Sequence, residues 1–149
     1  MSRPDRVSGR CYCGSVSVSA DTAPRTVAYC HCADCRRLTG APVAAFAAFL
    51  KGALRLAPEP APAQQVTKGV KRCFCPDYGS PLAATFDYLP GQVYVPLGLL
   101  DQADDLQPDE HCHDAARLSW LHIADDRPRS QGSARGRLGT TKRTPETCG

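Results

Sequence analysis

Aromatic residues are scarce in this 149-residue chain: they make up 7% of it, with one Trp. No stretch approaches the ~18 apolar residues of a membrane-spanning helix, so no membrane partner is expected. The opening residues, Met1-Ser2-Arg3-Pro4-Asp5-Arg6, hold no apolar run, so no signal peptide is expected either. The body lacks an excess of charge of one sign. Residues 1–126 carry 12 basic and 14 acidic residues, and they show no clustered aromatic and basic stripe of the kind that reads nucleic acid. An even cysteine count is also missing: nine cysteines cannot all pair within one chain. With reduced thiols the expected setting is the cytoplasm, where clustered cysteines more often mean metal binding or catalysis.

Hydrophobic residues make up 42% of the chain, much of it alanine, and the length suits one domain. Val7 to Cys13 reads as a strand, followed by a turn at Gly14. Ser15 to Ala20 alternates polar and apolar residues, as a half-buried strand does. Thr26 to Cys30 reads as another strand, and Asp34 to Leu38 as one or two helical turns ended by Gly40. Pro42 to Leu50 fits a buried strand and Ala53 to Leu56 a short one. Residues 57–66 are a Pro/Ala-rich exposed loop. Val70 to Phe74, Leu82 to Phe86 and Gln92 to Leu97 read as further strands. Leu100-Asp101 leads into a polar loop, and Ala115 to Ile123 reads as a short helix or strand. Disorder is expected after Ala124. Residues 127–149 hold six basic residues and one acidic one. Such a tail can touch nucleic acid or anionic lipid, and can equally be a solvated aid to solubility. The expectation is a mainly β, single-domain fold pinned by metal. Residues 6–126 are expected to form that domain and 127–149 a basic, disordered tail.

Cys30-His31-Cys32-Ala33-Asp34-Cys35 is the densest chemistry in the chain. Three thiolates at this spacing can converge about 2.3 Å from one zinc ion, which leaves one corner of a tetrahedron open, as in catalytic zinc. The other reading is a closed site completed by His31 or a distant cysteine. Cys11 and Cys13 fall on one side of an extended chain, and Cys73 and Cys75 repeat that spacing. Together they supply four sulfurs, enough for a closed structural zinc site, unless Cys73 is simply a small buried side chain. His111-Cys112-His113 can form a metal tract, but a solvated or hydrogen-bonded role is the plainer reading. Cys148 reads as a thiol without a role.

Several blocks, in this order, resemble the glutathione-dependent formaldehyde-activating family, which also includes centromere protein V. They are Cys11-x-Cys13-Gly14, then Cys30-His31-Cys32-x-x-Cys35-Arg36-Arg37-x-x-Gly40-Ala41-Pro42, then Phe74-Cys75-x-x-Tyr78-Gly79-Ser80, and finally Leu100-Asp101. The resemblance implies a β-sheet fold like that of methionine-R-sulfoxide reductases, with two zinc sites. Cys11, Cys13 and Cys75 would hold a structural ion, and Cys30, Cys32 and Cys35 the catalytic one. The implied activity is S-(hydroxymethyl)glutathione synthesis, formally that of a carbon–sulfur lyase. The family pattern reads Phe-Cys-x-x-Cys-Gly-Ser, and this chain has Tyr78 at the second cysteine. A phenol is a poor zinc ligand beside thiolates. Either Cys73 supplies the fourth sulfur or the structural zinc is held weakly.

A zinc ion with three thiolates is a soft centre that favours a thiol such as glutathione over water. Its sulfur could attack formaldehyde or another small aldehyde, with Arg36 and Arg37 pairing with the glutathione carboxylates. Alternatively, both arginines only offset the negative cysteine cluster or face water. The competing function is a non-catalytic zinc module that binds protein or nucleic acid.

Overall fold

The computed structural model describes residues 3–60 and 62–134. The strands are β1 (Val7–Arg10), β2 (Ser17–Ala20), β3 (Thr26–Cys30), β4 (Ala44–Leu50), β5 (Leu54–Ala57), β6 (Val70–Phe74), β7 (Pro81–Phe86), β8 (Gln92–Pro96) and β9 (Glu110–Cys112). Among the described residues, α1 (Ala33–Thr39) is the only helix longer than a single 3-10 turn. The strands form a three-stranded sheet, ordered β1-β2-β5, and a six-stranded sheet, ordered β6-β7-β8-β4-β3-β9. The mainly β expectation therefore holds. No helix here is long and apolar enough to cross a membrane.

The two-residue period of a strand sorts the side chains of the large sheet onto two faces. Val27 pairs with Ala47 in the β3–β4 ladder. These two and Phe49 face the small sheet, where Val7, Val18, Ala20 and Leu106 close one core. The alternate residues Cys30, Ala44, Phe46 and Ala48 face the other way and pack with Cys35, Leu89 and Tyr94. Burying a side chain such as Phe49, fully enclosed here, contributes about 2–3 kcal/mol. β1 crosses the chain at Leu99–Leu100 so closely that a Cβ on Gly9 would lie 2.0 Å from the Leu99 carbonyl oxygen.

Three expectations need correction. His111 and Cys112, expected in a loop, lie in β9, which runs parallel to β3 with Tyr29 opposite His111 and Cys30 opposite Cys112. Three residues are too few to leave a periodic signal. Ala115 to Ile123 contains only one 3-10 turn, Asp114–Ala116. The disorder expected after Ala124 is not what residues 125–134 show. His111 N–H donates to Pro128 O at 2.9 Å, Ser130 N–H to His111 O at 3.0 Å, and His113 N–H to Gly132 O at 2.8 Å. Composition reports solvation tendency and is blind to this edge pairing. Residues 135–149, including Cys148, lie outside the described residues.

Candidate metal centre

β3 ends at Cys30, and two residues later Cys32 caps α1. Its backbone is extended, and its sulfur accepts the Cys35 N–H at 3.3 Å. This turn brings the sulfurs of Cys30, Cys32 and Cys35 within 4.8 Å of one another. The Cys30 and Cys32 sulfurs stand 3.4 Å apart, far beyond a disulfide bond and close to the about 3.8 Å edge of a zinc–thiolate tetrahedron. An apolar cavity lies beside them, lined by Cys30, Cys35, Phe46, Tyr88, Tyr94 and Cys112 among others. Arg72 borders both this cavity and the neighbouring surface groove that Arg37 lines. Its guanidinium carbon lies 5.7 Å from the centre of the Phe86 ring.

Sequence reasoning missed Arg72, because only the β6–β7 pairing brings it near the cysteine turn. It also gave Cys112 no defined place; the β3–β9 register sets it beside Cys30. Arg36 and Arg37 part company. The Arg36 guanidinium donates to the carbonyls of His31 and Ala116, so it ties the cysteine turn to the Asp114–Ala116 turn. Arg37 is exposed along the groove.

His31 sits between two ligand candidates, yet strand alternation turns it to the opposite face. Its Nε2 lies 2.9 Å from His111 Nδ1, and His111 Nε2 lies 3.0 Å from Asp125 Oδ2. His31, His111 and Asp114 are close enough to resemble a further metal group. Both His111 ring nitrogens are already engaged, however, and the arrangement works as a brace under the cysteine turn. Burial, then the neighbouring His111, pushes the His31 pKa down to about 4, so its ring is neutral. Burial disfavours the Asp125 charge, but hydrogen bonds from His111, the Arg127 N–H and Arg129 outweigh it and hold that carboxyl at about 2.

The second cysteine group joins the β1–β2 connection to the end of β6. The Cys11, Cys13 and Cys75 sulfurs form a triangle with sides of 3.6, 3.7 and 3.5 Å. Burial opposes the Cys11 thiolate, yet the Val16 N–H and the Ser15 hydroxyl bring its pKa down to about 6. Ser15 and the backbone N–H groups of Tyr78 and Asp77 lower that of Cys75. Cys13 is also drawn down by Ser15, but burial and its sharing with Cys75 and Cys11 leave it raised. Gly79, at a φ of 80° that suits glycine, closes the Cys75–Ser80 turn.

Cys73 does not join this triangle. The β6–β7 pairing shifts register between Cys73 and Phe74, which breaks the alternation that would have put Cys73 and Cys75 on one side. The Cys73 sulfur instead approaches the Ala83 carbonyl at 3.8 Å, and burial raises its pKa. Tyr78 is 72% exposed and packs edge-on against Tyr12, ring centres 6.0 Å apart.

A model of the glutathione-dependent formaldehyde-activating enzyme family matches residues 6–115. The chain belongs to this family. Comparison with curated proteins gives no match. Among solved structures, a Rhodobacter sphaeroides protein is similar at a TM-score of 0.48 and 20% identity, covering 83% of this chain and 99% of that one. The formaldehyde-activating match takes in both cysteine groups and β9, and ends before Asp125 and the 128–132 segment. The zinc that the family resemblance implies fits both groups by donor chemistry: three sulfurs each, at separations near those of zinc–thiolate sites.

Proposed function

We propose that this chain is a zinc-dependent carbon–sulfur lyase of the S-(hydroxymethyl)glutathione synthase type. The observation that carries this reading is the three-sulfur turn Cys30–Cys32–Cys35 opening beside an apolar cavity, within the family match. Zinc held there by three thiolates would offer its fourth corner to a substrate sulfur and keep that sulfur deprotonated at neutral pH. Phe46 and Tyr94 exclude water from the cavity, which takes the small aldehyde. Arg37 and Arg72 flank the groove and bind the thiol substrate's carboxylates. Arg36 holds the turn in place. In the forward direction the substrate sulfur forms a bond to the aldehyde carbon, the carbonyl π bond breaks, and its oxygen takes up the proton that the thiol gave up. The reverse cleaves the carbon–sulfur bond, and neither direction changes oxidation state. The Cys11–Cys13–Cys75 group holds a structural ion that ties the small sheet to β6. Reduced thiolates suit a reducing compartment such as the cytoplasm.

The test is exchange NMR between carbon-13 formaldehyde and its glutathione adduct. Zinc-loaded protein should accelerate the exchange, and Cys32→Ser should not. No acceleration by the loaded wild-type protein would rule the reading out.

A further inference from the structure

Cys11, Cys13 and Cys75 give three corners of a tetrahedron, and neither Cys73 nor Tyr78 fills the fourth. The Ser15 side chain stands there. Its Oγ lies 3.1 Å from the Cys13 sulfur, 3.3 Å from that of Cys75 and 3.8 Å from that of Cys11. A zinc ion about 2.3 Å from three sulfurs and about 2.1 Å from one oxygen sets each oxygen–sulfur distance near about 3.6 Å. The Ser15 distances straddle that value. The one oxygen stands within 3.8 Å of all three sulfurs at once, as the fourth vertex over the triangle would. The local chain accounts for the placement. Gly14 N–H donates to Cys11 O at 3.1 Å and Val16 N–H to the Cys11 sulfur at 3.3 Å, and together they fold residue 15 back over the triangle.

We infer that the Ser15 hydroxyl is the fourth donor of the Cys11–Cys13–Cys75 metal site, giving three sulfurs and one oxygen. The inference rests on the reading that this group holds a metal. A neutral hydroxyl is a harder and weaker donor to zinc than a fourth thiolate. Ser15 is also exposed, whereas Cys11 and Cys75 are buried. The ion is therefore approached from the Ser15 side, and the site exchanges its metal more readily than a four-thiolate site would.

The experiment uses the full chain loaded with cadmium-113, as wild type, Ser15→Cys and Ser15→Ala, together with transfer of zinc to a chelator. Wild type should show two cadmium resonances. Ser15→Cys should move one of them toward the four-sulfur range, leave the other in place, and slow zinc transfer from that site about tenfold. Ser15→Ala should speed it about tenfold. Two wild-type resonances, with neither moved by Ser15→Cys and transfer unchanged in both variants, would overturn the role of Ser15 alone. A single wild-type resonance that Cys32→Ser abolishes would show that this group holds no metal, which overturns the reading beneath it as well.

Discussion

Asp125→Asn removes one charge from the brace under the cysteine turn and keeps the side chain's shape. In the folded chain the Asp125 carboxylate meets His111 Nε2, the Arg127 N–H and Arg129 Nη1, each at 3.0 Å. Its pKa falls from the ordinary 3.8 to about 2. A drop of that size corresponds to about 2 kcal/mol of stability at neutral pH. Because the folded pKa lies below the unfolded one, this stabilisation is fully present above about pH 4 and is lost as pH falls toward 2. Urea unfolding of wild type and Asp125→Asn, at steps from pH 7 down to pH 2, measures it. Acid also strips metal from thiolates, but it does so in both proteins, so the difference between them isolates the carboxylate. The gap should be about 2 kcal/mol at pH 7 and close as pH falls below about 4. A gap absent at pH 7, or one that persists unchanged at pH 2, would refute the reasoning.

Cys73→Ala should leave zinc content unchanged, since its sulfur stands outside the triangle; loss of an equivalent in metal analysis would restore it as a ligand. Arg37→Ala should raise KM for the thiol with little change in kcat, while Arg36→Ala should lower the melting temperature because two backbone carbonyls lose their donor. Gly9→Ala should cost more than about 2 kcal/mol in chemical unfolding, because its Cβ would meet rigid backbone at Leu99 rather than a yielding side chain.

The cysteine groups were legible because their ligands are local in sequence. Cys30, Cys32 and Cys35 need only one turn and a short helix, both of which the residues Asp34 to Gly40 announce. Strand β2 was legible from two-residue alternation, since Val18 and Ala20 are buried while Ser17 is exposed. What stayed hidden depends on long-range register. The bulge after Cys73 is set by pairing with β7, and no feature of Arg-Cys-Phe-Cys predicts it. Glu110-His111-Cys112 becomes a strand only because β3 offers an edge, and residues 128–132 are ordered only because β9 offers the next one. Arg36 looked like a substrate contact beside Arg37; about 100° of helix rotation separates their directions, and only coordinates show which one meets backbone. Ser15 carried no signal, since a serine after Cys-x-Cys-Gly reads as the start of an alternating strand.

Zinc analysis of the full chain purified without chelator, as wild type and as Cys32→Ser, tests the central claim most directly. Two equivalents in wild type and one in a still-folded Cys32→Ser protein are predicted. A wild-type chain without zinc, or a Cys32→Ser chain that keeps the full amount, would contradict the account.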